Sequence, residues 1–508
     1  MATQEERMVT TTFKMYGFTL KSEAAQDLRM LLSPFSHAGK IAWIEKIVDR
    51  IPKLKLSSPI LTKKDVAEVV SLIEKENELN NDNILSVISA FKIPRLKYSV
   101  DRKKFFAVKE TEENAFKFIG TSEDKANLFV DRYSLLNQRT RRNELFSPSV
   151  LGTTSTNRRF ALHTIEYLLG TSTKVDHVIV LGMLTQIKEG WYEDGLFHVT
   201  IMGMPPVETH EKTRKYFGSL DFLKGLTDTS PRCDVKLKEL EMKDQSTLFV
   251  FLSDIWLDNP ATFTKLEILL DGFSDCPPTC FVLCGNFLKP LNFGGSGESD
   301  SNITDLSAAK NLADVLKDNL EKFADLIEKF PLVMQQSYFV FVPGISDPGI
   351  SGAFPRKSLP KYVTAKFAER IPNAVFATNP CRIRFYSQEI VVFREDVLSK
   401  MGRNAFYFPT TTNEDELYSH FVKTLLSQAH LAPLPLQTCP IYWPYDQSMR
   451  LYPLPDVVVV ADRFKPFTNS QAGCIVTNPG SFSRNGHCFK AYYPATKRVE
   501  DSRVPDAE

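Results

Sequence analysis

The chain has 508 residues, enough for roughly two to four domains, and its 43% hydrophobic content is ample for large cores. The 62 lysines and arginines nearly balance 61 acidic residues, so a net charge of +1 excludes a global field favouring nucleic acid or membrane surfaces. The N-terminus lacks the apolar run of a secretory signal, and no run approaches the roughly eighteen apolar residues that span a bilayer. Eight cysteines do not resemble a disulfide scaffold, so a reducing intracellular setting is predicted.

The first ninety-odd residues are predicted to form a small helical domain, residues 1–94. Apolar residues recur there at helical spacing in four stripes, and the last stripe ends near Pro94. The domain offers no catalytic chemistry, so its predicted role is to bind a partner. The stripes comprise Ala24, Ala25, Leu28, Leu31 and Leu32; Ile44, Ile47, Val48 and Ile51; Val66, Val69, Val70 and Ile73; and Ile84, Val87, Ile88 and Phe91.

The next two intervals show weaker patterns. Residues 95–150 are charged and poorly periodic, which predicts an extended connecting segment, and the basic stretch Arg132–Arg142 inside it could contact phosphate or an acidic partner. Within residues 151–210 two strands are expected, Val175–Gly182 and Leu196–Gly203, joined through a turn at Lys188–Trp191.

From Leu248 onward, apolar strands alternate with helical stretches, which indicates an α/β sheet with parallel strand pairs. The whole chain is therefore predicted to be a multidomain α+β protein. The expected strands begin at Phe249, Phe281 and Tyr338, with later ones at Glu389–Phe393, Val457–Val460 and Cys488–Tyr493; the expected helices are Thr262–Leu270 and Leu312–Phe330.

Polar residues at three strand ends suggest the framework of a two-metal phosphoesterase. Asp254, Asn286 and Asp347 each follow an apolar strand, and ligands on neighbouring parallel strands converge at one sheet edge. Two-metal hydrolysis needs cations about 4 Å apart, held by bridging carboxylates and completed by imidazoles. A working site would carry Asp-x-His, Gly-Asp, Gly-Asn-His-Asp or Gly-Asn-His-Glu, and a late Gly-His-x-His.

The chain departs from that requirement at each of these points. Residues that cannot replace the missing ligands stand at the first, second and third strand ends and in the late strand, so no catalytic residue, metal ligand or cofactor is predicted. His430 is the one plausible imidazole that remains. The degenerate positions are Asp254, Trp256, Asn286, Ser346, Asp347, His430, Asp462 and Phe464.

Structural interpretations remain open for several of these residues. Asp254 can serve as a hydrogen-bonding residue at a strand end, and His430 can be a buried histidine with satisfied hydrogen bonds. Cys276, Cys280 and Cys284 are spaced by four residues, but no histidine lies near them in sequence, which favours buried thiols over a zinc site.

Several longer motifs resemble the B-subunit family of replicative DNA polymerases, and within it the epsilon branch. The resemblance covers nearly the whole chain, and its motifs are specific only as a set. They are Arg132–Thr140, Glu144–Phe146, Val180–Met183, Phe251–Asp258, Thr378–Ile383, Val422–Gln428, Tyr452–Asp456 and Asn478–Phe482.

The resemblance implies a helical N-terminal domain, an OB-fold at 151–210 and an inactive calcineurin-like phosphoesterase domain at 211–508. It implies a non-catalytic nuclear subunit that binds the C-terminal domain of the catalytic polymerase subunit. Through the N-terminal domain it would contact the GINS part of the replicative helicase. Small histone-fold subunits are the other expected partners. The chain is expected to contact DNA mainly through the complex, and no membrane partner is expected.

One departure within the epsilon branch concerns the OB-fold. Relatives carry about thirty-five more residues between the strand Ile179–Met183 and the strand Leu196–Thr200, so the OB-fold is predicted to be incomplete, and an open barrel leaves exposed edges. Two alternatives to the scaffold function stay open at this point: a metal-dependent phosphoesterase or nuclease, and a nucleic-acid-binding module that uses the OB remnant.

Overall fold

The chain divides into two compact units, Met1–Ser86 and Val87–Glu508, which are described separately. In a computed structural model, the described residues are 84–108, 118–147, 160–171, 174–182, 187–193, 196–218, 220–290, 306–405 and 413–505, together with positions 13, 18–21, 24, 28, 60–61 and 63. No helix within these residues is both long enough and apolar enough to cross a bilayer.

In the first unit, short strands β1 (Thr19–Leu20) and β2 (Ile60–Leu61) pair in parallel. Ala24 and Leu28 are helical and fully buried, as the first apolar stripe predicts. The predicted stripes around Ile44 and Val66 lie outside the described residues.

The fourth predicted helix, at Ile84–Phe91, is wrong. The segment forms strand β3 (Leu85–Ser89), at the edge of a six-stranded sheet, followed by a 3-10 turn at Ala90–Lys92. The β-branched Val87 and Ile88 suit a strand better than a helix. The N–H of Ala90 donates to Oγ1 of Thr378 at 2.9 Å, which fastens the turn.

The prediction of an extended connecting segment at 95–150 is wrong for its described residues, most of which lie in regular structure. Strands β4 (Leu96–Ser99) and β5 (Lys104–Ala107) form an antiparallel hairpin, and helix α1 (Ser122–Arg141) begins at a capping box made by Thr121 and Asp124. The helix was missed because it buries the polar Asp131, Gln138 and Arg139 beside its leucines, which breaks the apolar stripe.

A four-stranded sheet follows, in the order β6-β7-β8-β9. Its strands are β6 (Leu162–His163), β7 (Val175–Leu181), β8 (Ile187–Glu193) and β9 (Leu196–Gly203). Helix α2 (Ile165–Leu169) lies between β6 and β7 in the chain. The predicted strands are confirmed, but the predicted turn at Lys188–Trp191 is wrong. Gly190 lies at a register shift in the middle of β8, so the glycine marks a bulge rather than a turn.

Four short elements lead into the main body: helix α3 (His210–Phe217), strands β10 (Leu220–Asp221) and β11 (Gly225–Thr229), and helix α4 (Val235–Lys243). The main body then contains, in chain order, β12 (Phe249–Ser253), α5 (Pro260–Gly272), β13 (Cys280–Cys284), α6 (Leu306–Glu328), α7 (Pro331–Gln336), β14 (Tyr338–Val342), α8 (Lys361–Arg370), β15 (Ala374–Phe376), β16 (Cys381–Phe385), β17 (Gln388–Arg394), α9 (Val397–Arg403), α10 (Glu414–Gln428), β18 (Val457–Ala461), β19 (Phe467–Gln471), β20 (Cys474–Asn478), β21 (Cys488–Tyr493) and β22 (Arg498–Arg503).

Together with β3, these strands form two six-stranded sheets, β15-β14-β13-β12-β21-β22 and β19-β20-β18-β17-β16-β3. Every residue of the central strands β12, β13, β17 and β18 is buried, and successive side chains point to opposite faces, so both faces of each sheet are covered there. In β12, Val250 and Leu252 pack with the leucines of α5 and α6, whereas the ring of Phe249 meets Phe385 of the other sheet at 5.2 Å. A second core joins β17 and β18 to α10. The arrangement is two facing sheets with helices outside, and the predicted alternation of strands and helices from Leu248 is confirmed.

Candidate functional site

The strand ends of both sheets meet at one edge. Strands β12, β13 and β14 are parallel and in register, so they end side by side at Ser253, Cys284 and Val342. In the other sheet β17 and β18 are parallel, with Arg394 opposite Ala461. The residues that follow these ends therefore form one cluster, called here the strand-end cluster: Asp254, Asn286, Asp347, Arg394, Asp396 and Asp462.

Asp254 is the first predicted site residue, and its carboxylate is already engaged. It is buried, and Oδ1 accepts hydrogen bonds from Nη2 of Arg394 at 2.8 Å and from the N–H of Asn286 at 3.1 Å. Both side chains of the Asp254–Arg394 pair are almost completely excluded from solvent. The carboxylate that a metal ion would need thus holds a permanent cation instead.

The guanidinium of Arg394 reaches from one sheet to the other. Besides Asp254, it donates to the carbonyl of Gly285 through Nε, and to Asp396 and the carbonyl of Ala461 through Nη1 at 3.1 Å each. Burial alone would lower the pKa of Arg394, but the carboxylates of Asp254 and Asp396 outweigh it and hold that pKa well above its usual value. Arg394 therefore acts as a fixed positive charge that ties β12, β13 and β18 together.

Asp347 is held by backbone groups instead of a cation. Its two carboxylate oxygens accept the N–H groups of Phe287 and Gly344, each at 2.7 Å. Burial raises the pKa of Asp347 to about 6, although both N–H bonds and Arg394 act in the opposite direction. The carboxylate is thus used to pin the loop after β14 to the end of β13.

Asn286 links the same two loops. Its Oδ1 accepts the N–H of Ser346 at 3.0 Å, while the Ser346 residue itself is exposed. Close approach is possible because Gly285 and Gly344 have no side chain: a Cβ on Gly285 would lie 2.1 Å from Oδ2 of Asp347. The strand ends are packed tightly against each other.

Asp462 and Phe464 lie at the end of β18 and are used structurally. The carboxylate of Asp462 accepts the N–H groups of Leu398 at 2.9 Å and Phe464 at 3.0 Å. Burial, with Asp396 nearby, raises the pKa of Asp462 to about 6. The ring of Phe464 packs against the core between β17, β18 and α10.

Trp256 stands two residues after Asp254 and is buried. The guanidinium of Arg484 lies 4.9 Å from the indole centroid, and the backbone N–H of Trp256 donates to Oγ of Ser483 at 3.3 Å. An indole cannot ligate a metal, so this position contributes packing and a cation–π contact.

His430 does not join the strand-end cluster. Its Nε2 lies 3.2 Å from Oδ1 of Asp446, and its Nδ1 accepts the N–H of Ala432 at 3.1 Å. Asp446 is also paired with Arg132 of α1, at 2.5 Å. The imidazole belongs to a buried network that fastens α1 to the main body, which agrees with its structural interpretation.

His430→Gln should remove part of the loss of stability at acidic pH. Burial and the Arg132 guanidinium lower the pKa of His430 from 6.5 to about 4. Above pH 6.5 the histidine is neutral in both the folded and the unfolded chain, so it does not change the free energy of unfolding. As the pH drops towards the folded-state pKa, the unfolded chain binds the proton more readily, and the free energy of unfolding falls. Between neutral pH and about pH 5 the native chain should lose roughly 2 kcal/mol more than the variant. Urea unfolding at both pH values measures the difference, and equal losses would contradict it.

The strand-end cluster does not fit a pair of metal ions. Asp254 is paired with Arg394, both oxygens of Asp347 accept backbone N–H groups, and Trp256 and Phe464 have no metal-binding atom. Within the described ranges no three His, Cys, Asp or Glu side chains are grouped in a way that could hold a metal ion. Of the three cysteines predicted to be buried thiols, Cys280 and Cys284 are buried in β13, and burial raises the pKa of Cys284 to about 12. The prediction is wrong for Cys276, which is exposed because it precedes the strand.

Arg394 is an important residue that sequence reasoning missed, and Asn379 lies in the Thr378–Ile383 motif but was assigned no role there. The buried amide of Asn379 donates to the carbonyls of Pro343 at 2.9 Å and Arg394 at 2.7 Å, and it accepts the N–H of Arg394 at 3.1 Å. It thereby fixes the backbone of Arg394. One sequence signal was available: three charged residues, Arg394, Glu395 and Asp396, come directly after an apolar strand.

Two facing six-stranded sheets with a charged cluster at their joined strand ends define a two-sheet α/β-sandwich protein. Family models match three parts of the chain: the B subunit of DNA polymerases alpha and epsilon at residues 249–469, the OB-fold domain of DNA polymerase epsilon subunit 2-like proteins at 122–192, and DNA polymerases epsilon N terminal at 3–71. DNA polymerase epsilon subunit 2 of Bos taurus and that of Homo sapiens are each 41% identical to this chain, and each match covers 97% of this chain and 97% of the relative.

The chain therefore belongs to the DNA polymerase epsilon subunit 2 family, and the predicted resemblance is confirmed. A Drosophila melanogaster relative of the same name is 30% identical over 98% of both chains. Among solved structures, an archaeal phosphodiesterase is 10% identical with a TM-score of 0.25, and the match covers 50% of this chain and 99% of that one.

Proposed function

We propose that the chain is a non-catalytic accessory subunit of the nuclear DNA polymerase epsilon complex. It binds the C-terminal domain of the catalytic subunit and, through its N-terminal domain, links the polymerase to the GINS part of the replicative helicase. The small histone-fold subunits join the same complex, and DNA is reached mainly through it. Family membership supports the polymerase assignment.

The observation that carries the non-catalytic part is the Asp254–Arg394 pair. A calcineurin-like phosphoesterase binds metal ions at its strand ends, and here the equivalent edge is held by an internal guanidinium. A buried, hydrogen-bonded ion pair is costly to break, because removing one partner leaves an uncompensated charge. The fold is thus retained as a rigid body for binding other proteins.

Co-expression tests the scaffold role. The full chain and the C-terminal domain of a polymerase epsilon catalytic subunit should elute together from size exclusion as one complex. Separate elution would contradict the proposal. A second run with GINS should give a complex through the N-terminal domain, and its failure alone would remove only the helicase link.

The alternative function, a metal-dependent phosphoesterase or nuclease, is tested by a separate assay. The full chain is incubated with manganese and single-stranded DNA or a generic phosphodiester. The proposal expects no turnover above buffer. Turnover that Asp254→Ala abolishes would establish the alternative and overturn the non-catalytic assignment.

The incomplete OB-fold, with the domain limits given above, is part of the same proposal. If the four-stranded sheet β6-β7-β8-β9 lacks strands that its relatives possess, binding of the catalytic subunit near it should be weaker than for a chain with a full OB region. Comparing the two chains in the co-elution experiment measures this difference.

A further inference from the structure

An apolar groove opens on the surface of the second unit, beside the start of α1. It has a volume of about 400 Å³, which falls within the range of sites that accept a ligand or one or two large side chains. Aromatic and aliphatic residues dominate its lining, among them Phe118, Ile119, Leu436, Pro440, Tyr442 and Trp443. The groove shares no residue with the strand-end cluster.

The wall of the groove is held by backbone hydrogen bonds. The N–H of Phe354 donates to the carbonyl of Pro440 at 2.9 Å, and the N–H of Tyr442 donates to the carbonyl of Phe354 at 2.6 Å. The hydroxyl of Tyr442 lies 2.9 Å from that of Ser351, and its ring meets Phe118 edge-on at 5.1 Å. Gly120 sits against the indole of Trp443, where a Cβ would be 3.1 Å from the ring. The site is therefore formed before any partner arrives.

Two features leave unused binding capacity at the rim. Ile119 is 90% exposed, which is unusual for a large aliphatic side chain beside a preformed apolar groove. Within the described residues the indole N–H of Trp443 has no hydrogen-bond acceptor, so it can donate to a backbone carbonyl of a bound chain.

Two lysines contact aromatic rings that line the groove. The ammonium of Lys125 lies 5.5 Å from the Trp443 ring centroid, and that of Lys357 lies 4.3 Å from the Phe118 ring. Within the described part of the chain neither lysine has a carboxylate partner. Asp124 is committed to the capping box with Thr121 and faces Arg95 at 3.7 Å. The two lysines next to the apolar lining make the groove complementary to negative charge.

We propose that this groove binds an extended segment of a partner protein with a bulky apolar side chain flanked by Asp or Glu. The apolar side chain fills the groove, a backbone carbonyl accepts from Trp443, and the acidic residues meet Lys125 and Lys357. Single-stranded nucleic acid is disfavoured, because the two lysines Lys125 and Lys357 do not form a track for successive phosphates. Membership of the family does not by itself assign a ligand to this groove.

The test uses display selection of random 12-residue peptides on the full chain, followed by fluorescence polarisation with the best enriched peptide. The expected peptides contain Phe, Leu, Ile or Trp flanked by Asp or Glu. Ile119→Asp should weaken the best peptide at least tenfold, and its high exposure keeps the fold intact. The double charge reversal Lys125→Glu with Lys357→Glu should shift selection towards basic peptides. Val235→Asp, at a 65% exposed position on α4, is the matched control and should leave binding unchanged.

Several outcomes would overturn the proposal. They are the absence of any enriched peptide, enriched peptides without acidic residues, and binding that Ile119→Asp leaves unchanged. Competition by a twelve-nucleotide thymidine strand at the same concentration as the peptide would also overturn it, because it would assign the groove to nucleic acid.

Discussion

Arg394→Ala should lower the free energy of unfolding by about 3–5 kcal/mol, because it leaves Asp254 as an uncompensated charge inside the protein. The variant also removes the donors to the carbonyls of Gly285 and Ala461, so the two sheets lose their common tie. Chemical denaturation with the full chain measures the loss. A matched surface control is Arg498→Ala, which removes an exposed pair with Glu500 and should change stability by less than about 0.5 kcal/mol.

A double-mutant cycle isolates the pair itself. Asp254→Asn, Arg394→Met and the combined variant should show a coupling of about 2 kcal/mol, because neutralising both partners is less harmful than neutralising one. A coupling near zero, with Arg394→Ala as mild as the surface control, would contradict the role assigned to Arg394.

Gly285→Ala should be at least as damaging, with a loss of about 4 kcal/mol or more. The added Cβ would lie 2.1 Å from the carboxylate of Asp347 and 2.5 Å from the N–H nitrogen of Gly344. Neither neighbour is the free end of a flexible side chain, since Asp347 is held by two backbone N–H bonds. The strand ends must therefore separate or the chain must fail to fold.

Soluble yield and thermal melting measure that effect. Gly272→Ala is the control, because a Cβ at the end of α5 meets nothing within 4 Å and alanine favours a helix. The Gly272→Ala protein should have the same melting temperature as the native chain or a slightly higher one. A Gly285→Ala protein that melts within about 2 °C of the native chain would show that the strand ends are not closely packed.

The main body could be predicted from the sequence because its strands are continuous apolar runs. The elements that were missed have physical reasons. Helix α1 buries Asp131 and Arg139 in ion pairs and hydrogen bonds, so no clean stripe marks it. Gly190 marks a bulge instead of a turn, and Val87 and Ile88 follow the β preference of branched side chains rather than the helical spacing.

The candidate site could be located but not completed. The strand ends place Asp254, Asn286 and Asp347 together. The order of the parallel strands along the sequence predicts this grouping. The pairing of Asp254 with Arg394 joins residues 140 positions apart, on strands of different sheets, and such a contact leaves no periodic signal. His430 is the one imidazole among the predicted site residues, but its partner Asp446 belongs to the network that holds α1.

Manganese binding to the metal-stripped full chain, followed by electron paramagnetic resonance, tests the central claim most directly. A strand-end cluster already occupied by the Arg394 guanidinium should bind no manganese at micromolar concentrations, and the free-ion signal should equal that of buffer. One or two tightly bound manganese ions per chain, lost in Asp254→Asn, would contradict the claim that an internal cation has replaced the metal centre.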